Sequence, residues 1–195
     1  NETHPLHPIN HYGYTKLYIE NYLKWISTIE NIKFISLRYF NAAGYSDKVK
    51  LIKFKEKNPE NLLPIMMEVA NKSRDELKIF GNDYDTKDGT CIRDYIHVMD
   101  LASAHIRALN YLEKSKSATV NLSTGKGFSI LDIIKITERI TKQKINYTFS
   151  PRRKGDPAML LSTFDKAREL FDWKPKYSID NIIGSMWKIY KNDFI

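Results

Sequence analysis

The chain is predicted to be an α/β protein, on three observations. Short runs rich in Phe, Ile, Val and Leu alternate with longer segments whose apolar residues recur every three or four positions. The junctions between them carry the Asn, Asp, Gly and Pro residues that punctuate turns. At 195 residues with 42% hydrophobic side chains, the chain can bury a sizeable core.

Each element has its own reason. Pro5 and Pro8, among polar neighbours, make residues 1–10 an extended lead-in, and Asn10 is the N-cap of a helix running to about Ser27. Tyr14, Leu17, Tyr18, Tyr22 and Trp25 follow at three- and four-residue steps, so that helix is expected to carry one buried stripe. Lys33 to Phe40, with Phe34, Ile35 and Leu37, reads as a buried strand entering a turn at Asn41-Ala-Ala-Gly44. The carboxyl ends of strands in open α/β sheets are where ligands bind. Lys-rich Tyr45 to Glu60 reads as a long surface loop. Leu62 to Lys72 is a helix, Leu77 to Phe80 a short strand, and Gly81 to Asp88 a turn-rich loop. A strand at Tyr95 to Val98 leads into a helix from Met99 to about Leu112, and Thr119 to Leu122 is another strand. Ser129 and Asp132 form a capping box for a helix with Ile130, Ile133, Ile134, Ile136 and Ile140 on one face. A strand near Ile145 to Phe149, the basic loop Arg152-Arg-Lys-Gly-Asp156, and helices at Phe164 to Phe171 and Ile179 to Tyr190 complete the chain.

Charge narrows the partners. Lys and Arg total 31 against 23 Asp and Glu, a surplus of +8 that favours anions. A nucleic-acid binder would gather basic residues on one face among exposed aromatics, whereas these lysines are dispersed with acids between them, so no nucleic-acid partner is expected. The lone Cys91 excludes an internal disulfide framework and a Cys-based zinc site; it reads as a packed thiol and suits a reducing, cytoplasmic setting. His4, His7 and His11 lack acidic or sulfur companions at ligand spacing, so no metal is expected. His97 reads as a structural histidine, and Gly125-Lys-Gly127 as a tight turn. No apolar run approaches a membrane span, so no membrane partner is expected; no signal peptide opens the chain, and its start at Asn1 without Met reads as cut or processed.

Tyr12 and Lys16 lie one helical turn apart, with Cβ atoms about 5–6 Å from each other. An ammonium beside a phenol favours the phenolate, which could take a proton from a sugar or alcohol hydroxyl. The spacing alone is weak, since about 1.4 Tyr-x-x-x-Lys pairs would arise by chance in this composition. Its context is stronger. The run Glu2-T-H-P-L-H-P-I-N-H-Y-G-Y-T-Lys16, then Leu37-R-Y-F-N-A-A-Gly44, Ile79-F-G-N-D-Y-D-T-K-D-G-T-C-I-R-D-Y-I-H-V-M-Asp100, Asn121-L-S-T-G-K-Gly127 and Pro151-R-R-K-G-Asp156 occur in the order of one family's motifs. They resemble the extended short-chain dehydrogenases/reductases, most of all the UDP-glucose 4-epimerases among them. The likeness covers essentially the whole chain, and its most specific part is the block from Ile79 to Asp100.

The resemblance implies an incomplete Rossmann-like parallel sheet plus a smaller mixed α/β substrate-binding domain. Residues 1–44 would belong to the Rossmann-like part and 45–195 mainly to the UDP-sugar domain, with about 90–112 returning to the first. It implies NAD as cofactor, a UDP-sugar as substrate and a homodimer. Tyr12 would be the base, Lys16 would hold the nicotinamide ribose, and Phe40 would lie beside the nicotinamide. Asn41 would hydrogen-bond the substrate, Asn61 would contact the UDP, and the strand Lys78, Ile79, Phe80 would read the uracil through its backbone. Arg93 and Arg153 would grip the diphosphate, Asp156 a ribose hydroxyl, and Tyr95 would form a wall of the site. Leu160 would face the sugar; being intermediate in size, it suggests tolerance of UDP-glucose and UDP-galactose and of their N-acetyl counterparts.

Three departures stand out. His11 replaces the proline usual before the tyrosine. Asn41-Ala-Ala-Gly and the Lys-rich stretch after it replace a Gly- and Pro-rich loop. No G-x-G-x-x-G occurs among the eight glycines, so the glycine-rich NAD loop and a Ser or Thr beside the tyrosine are expected to lie in a missing amino-terminal portion. On that reading the 195 residues alone lack epimerase activity, and the strand and helix nearest that portion would leave apolar surface open. The alternatives are a non-catalytic UDP-sugar-binding module and another sugar-nucleotide reductase or dehydratase.

Overall fold

The computed structural model describes residues 1–46 and 56–191. Asn10, in extended backbone, accepts the Gly13 N–H at 2.9 Å and opens α1 (His11–Ile29). There follow β1 (Ile35–Tyr39), β2 (Asn41–Ala43), α2 (Leu62–Ala70), β3 (Leu77–Phe80), β4 (Ile92–Arg93), β5 (Tyr95–His97) and α3 (Val98–Lys114). The remainder is β6 (Ala118–Leu122), β7 (Phe128–Ser129), α4 (Ile130–Thr141), β8 (Tyr147–Ser150), β9 (Met159–Leu160), α5 (Asp165–Phe171) and α6 (Ile179–Tyr190). The Ser129 and Asp132 box caps α4 as expected, and Ser178 with Asn181 caps α6 the same way.

Pairing is mostly parallel, as α/β connections require. β1 runs beside β6 with Leu37 opposite Val120, β2 beside β5 with Asn41 opposite Tyr95, and β3 beside β8 with Ile79 opposite Phe149. β4 lies between antiparallel β7 and parallel β9, which sets Arg93 opposite Leu160. Two cores result. One unites α2, α4 and α6 over β3 through Met66, Met67, Ile79, Ile133, Ile182 and Ile183. The other packs α3 and α5 on β6 through Ile96, Ala104, Val120, Leu122, Ala167 and Trp173.

Two buried carboxylates stitch the turns between elements. Asp94 accepts the N–H groups of Thr124 and Gly125 at 2.9–3.1 Å, and the Lys126 N–H donates to the Thr124 hydroxyl at 3.3 Å, so these donors are spent inside the fold, in keeping with the reading of Gly125-Lys-Gly127 as a tight turn. Asp100 accepts the N–H groups of Lys176 and Tyr177 at 3.0 and 3.1 Å, fixing the entry to α6. Burial pushes both carboxyls above the ordinary range, against these hydrogen bonds. His97 is structural as expected: its Nδ1 accepts the Met99 N–H at 3.0 Å and its ring stacks on Tyr177 at 4.2 Å. Cys91 is a buried free thiol.

Three expectations need correction. The aromatic stripe of α1 is not buried: the helix has no buried residue, and Tyr18 is 65% and Trp25 57% exposed. Of the stripe only Leu17 is half-buried, beside Leu23 and Ile26, and no element of the described residues covers the aromatics. The strand expected at Lys33 to Phe40 is shorter, half-buried along its length and exposed at Tyr39, because among the described residues it pairs with β6 alone. Asn41–Ala43 is a strand rather than a turn, recruited by pairing with β5. Of the loop expected at Tyr45 to Glu60, residues 47–55 lie outside the described residues.

Candidate functional site

Two adjoining cavities open where these elements meet. The first, about 470 Å³, is walled by Asn61, Lys78, Phe80, Arg93, Arg153 and Asp156. The second, about 770 Å³, is walled by Tyr12, Phe40 and Leu160, with Met186 of α6. Asn41, Asn61, Leu62 and Tyr95 line both, so the pair forms one continuous trough from α1 to the basic loop at residues 151–156. A trough of this size suits an extended ligand better than a compact one.

At one end α1 presents Tyr12, which is 65% exposed, with the Lys16 ammonium 4.9 Å from the centre of its ring. Lys16 itself does not line the trough, standing one turn behind Tyr12. Phe40 and Asn41 reach it because β1 ends at Tyr39 and the chain at once re-pairs as β2. The Asn41 N–H donates to the Asp94 carbonyl at 3.1 Å, locking this crossing to the β4–β5 junction. Tyr95 is buried beneath it, and burial pushes its phenol far above the ordinary range, which makes it a neutral wall and not a base.

The other end is cationic and edged by open backbone. The Leu77 N–H bonds to the Asn146 carbonyl and the Gly81 N–H to that of Ser150. Alternation along the strand therefore turns the backbone groups of Lys78 and Phe80 to the edge of β3 that no strand among the described residues occupies. Ile79 buries its side chain in the core and does not line either cavity. Arg93, nearly buried, makes an ion pair with Asp156 and donates to the Ile92 carbonyl at 2.8 Å. The Arg153 guanidinium lies 3.8 Å over the Phe80 ring, a stacking that presents its edge donors sideways. The neighbouring Arg152 is turned away, bonding Asp83 at 2.7 Å and covering the Tyr84 ring at 4.2 Å.

Some lining residues escape the sequence reading. Arg74 and Glu76 stand at the entry to β3, and Cys91 and Ile130 lie under the first cavity. Burial pushes the Cys91 thiol up, so it is a neutral packing group there. Leu62 and Ile65 stand one turn apart on α2, a spacing that puts them on one face, but nothing local tells which cavity that face meets. Among the described residues no cluster of three His, Cys, Asp or Glu side chains could hold a metal.

The chain has relatives among known proteins. A UDP-glucose 4-epimerase of Lacticaseibacillus casei is 43% identical over 194 residues, covering 98% of this chain and 58% of its own. The structure of the UDP-glucose 4-epimerase of Stenotrophomonas maltophila, with bound NAD and formylated UDP-arabinopyranose, superposes with a TM-score of 0.89 at 34% identity, over 98% of this chain and 57% of that one. The UDP-Glc/GlcNAc 4-epimerase of Campylobacter jejuni gives 0.76 at 41% identity, over 98% and 58%. The chain thus spans under three-fifths of the length of these relatives. The family model for GDP-mannose 4,6 dehydratase matches residues 1–186. With that match over nearly its whole length, the chain belongs to the GDP-mannose 4,6 dehydratase family of extended short-chain dehydrogenases/reductases.

Proposed function

We propose that this chain carries the proton-transfer pair and the nucleotide-sugar site of an NAD-dependent UDP-hexose 4-epimerase. The observation that carries this reading is one trough with a Tyr-Lys helix at one end and a paired-arginine, open-backbone site at the other. In this reading the backbone of Lys78 and Phe80 bonds the uracil, with Ile79 backing it from the core. Arg93 and Arg153 take the diphosphate, Asp156 a ribose hydroxyl, and Asn61 the nucleotide. Asn41 orients the sugar with an uncharged amide that does not compete for the proton. Leu160 closes over the sugar near Tyr12.

The residues around Tyr12 fit a nicotinamide nucleotide: an exposed phenol, an ammonium one turn away for ribose hydroxyls, and the Phe40 side chain lining the same space. NAD, when bound, supplies the acceptor for the C4 hydride and returns it. Tyr12 takes the proton of the 4-hydroxyl as the hydride leaves, giving a 4-keto sugar. It gives the proton back once the hydride has returned to the opposite face. Lys16 holds the charge balance beside it. We assign residues 1–44 and about 90–112 to the dinucleotide side and the rest mainly to the UDP-sugar side, with a homodimer as the working assembly. The 195 residues contain no glycine-rich dinucleotide loop, so on their own they do not turn over.

The test is a chimera in which this chain replaces the matched portion of the Lacticaseibacillus casei protein. It should interconvert UDP-galactose and UDP-glucose, lose about 10²–10⁴-fold in rate with Tyr12→Phe, and the 195-residue chain alone should show no turnover. A chimera that binds UDP without epimerising would identify a binding module, and a 4,6-dehydrated product a dehydratase. Leu160 makes N-acetylated substrates admissible in this reading; the Campylobacter jejuni relative is named for both sugars. Leu160→Tyr in the chimera should cut use of the N-acetylated pair by about tenfold or more relative to the plain hexoses. Equal use by both proteins would refute the gate.

A further inference from the structure

The helix that carries Tyr12 and Lys16 has no buried residue, yet it must hold both groups still for proton transfer. Leu17, Leu23 and Ile26 are only half-buried on its inner face, so its polar ties matter and can be followed one by one. The Arg38 guanidinium clasps Glu20 at 2.5 and 2.6 Å, anchoring the middle of α1 to β1. The first turn, where Tyr12 sits, is held by a different residue.

Asn10 makes two bonds with the two ends of one amide. Its oxygen accepts the Gly13 N–H at 2.9 Å, capping the turn that contains Tyr12, and its carbonyl accepts the Tyr14 N–H at 3.1 Å. Its amide nitrogen donates to the carbonyl of Gly155 at 3.3 Å, 145 residues away. Gly155 belongs to the loop that also carries Arg153 and Asp156, and it sits at φ +77° so closely against residues 9 and 10 that a Cβ there would lie 3.2 Å from the Ile9 carbonyl. The loop is a tight unit: the Asp156 N–H donates to the Arg153 carbonyl at 3.3 Å. Asp156 in turn is ion-paired with Arg93.

We propose that Asn10 is a positioning residue that couples occupancy of the nucleotide cavity to the setting of the helix bearing Tyr12 and Lys16. The proposal rests on the reading of the first cavity as a nucleotide diphosphate site. A diphosphate entering there competes with the Asp156 carboxylate for the Arg93 guanidinium, and that pair must open or share its donors. Asp156 then moves, and the Gly155 carbonyl one residue away moves with it. The Asn10 amide carries that shift to the cap of α1, so the base helix is ordered when substrate is present and looser when it is not.

The chemistry of the amide supplies the test. Asn10→Asp keeps an acceptor for the cap, at which Asp is as good as Asn, but at neutral pH its carboxylate cannot donate to Gly155. Asn10→Ala loses both bonds. Hydrogen exchange of the amides of residues 13–17 is followed in the 195-residue chain with and without UDP, at concentrations saturating each protein. In the parent, UDP should slow this exchange about fivefold or more. In Asn10→Asp, exchange without UDP should match the parent while the slowing by UDP is lost. In Asn10→Ala, exchange should be faster than in the parent with or without UDP. A merely structural cap would not give the Asp variant this split. Slowing by UDP that survives in Asn10→Asp overturns the proposal, as does faster basal exchange in that variant. UDP that binds the parent without slowing α1 overturns the coupling and leaves the nucleotide site standing. A parent that does not bind UDP brings down both.

Discussion

The helix α1 and the helices α4 and α6 are all amphipathic, yet they end in opposite situations. α4 and α6 bury Ile133, Ile134, Ile182 and Ile183 against each other and against α2, in the core beneath the arginine end of the trough. α1 turns Tyr14, Tyr18, Tyr22 and Trp25 outward, only half-buries Leu17, Leu23 and Ile26, and is tied by side-chain polar bonds from Asn10 to Gly155 and from Arg38 to Glu20. Close by, the Glu2 carboxylate accepts the Asn121 N–H at 2.8 Å, holding the lead-in segment to β6. The Glu20 hydrogen bond, set against partial burial, raises the Arg38 guanidinium still further above its ordinary value. The same periodicity thus says which side of a helix is apolar and nothing about whether a partner covers it. The arginine end of this trough is stabilised by its own core; the Tyr12 end rests on half-buried apolar side chains and on directional bonds individually worth about 0.5–3 kcal/mol.

The most direct way to break that contrast is to cut one side chain from each region. Ile183→Ala empties a fully buried site in the first core and should cost about 2–5 kcal/mol in urea unfolding. Tyr18→Ala and Trp25→Ala remove far larger side chains from α1, yet each should cost only about 0.5 kcal/mol or less, because they contact mostly solvent. Equal costs in the two regions would show that the stripe of α1 is covered in solution.

Ligand binding sharpens the same contrast. Arg153→Ala removes a guanidinium stacked on Phe80 at the end proposed for the nucleotide, and calorimetry with UDP should show a loss of about 10- to 100-fold in affinity. Arg153→Lys should recover only part of it, since an ammonium lacks the planar fork that stacks and binds phosphate at once. Tyr12→Phe, at the other end, should leave UDP affinity within about twofold, a change of under 0.5 kcal/mol. A large effect of Tyr12→Phe on UDP itself would mean that the nucleotide lies along α1 and not across β3.

How much of this was legible beforehand differs between the same two regions. Leu77 to Phe80, the Ser129 and Asp132 box and the helix from Ile179 to Tyr190 were written locally, in apolar runs and caps, and they stand as read. The strands Asn41–Ala43, Ile92–Arg93 and Met159–Leu160 were not, because two or three residues become a strand only through partners far along the chain. The site divides likewise. Tyr12 and Lys16 on one helix face follow from spacing, whereas the meeting of Phe40, Asn41, Tyr95 and Leu160 depends on β2 pairing with β5 and β4 with β9. Only the order of the motifs pointed to it. Arg74 and Glu76 carried no local mark, since a charged pair before a strand most often faces solvent.

The smallest effect probes how the two regions hold a helix start. α4 has Asp132 in its first turn, bonded to the Ser129 N–H at 3.1 Å and paired with Lys87 at 2.7 Å, while α1 has no acid there. Burial pushes the Asp132 carboxyl up, but the Lys87 ammonium and the Ser129 bonds outweigh it and hold the group below the ordinary value. A carboxyl lowered in the folded state stabilises it above the unfolded pKa, about 3.9, and that contribution fades as pH falls through the lowered value. Asp132→Asn keeps the box, as Asn181 does in α6, and removes only the charge. It should therefore be less stable than the parent by about 0.5 kcal/mol at pH 7, the usual worth of an acid at a helix start. The gap should close as both proteins are taken below about pH 3. Asp94 and Asp100, raised by burial, change stability in the opposite sense as pH falls, but they are present in both proteins and cancel from the difference. A gap that persists unchanged in acid would show that α4, like α1, is held by the geometry of its cap and not by charge.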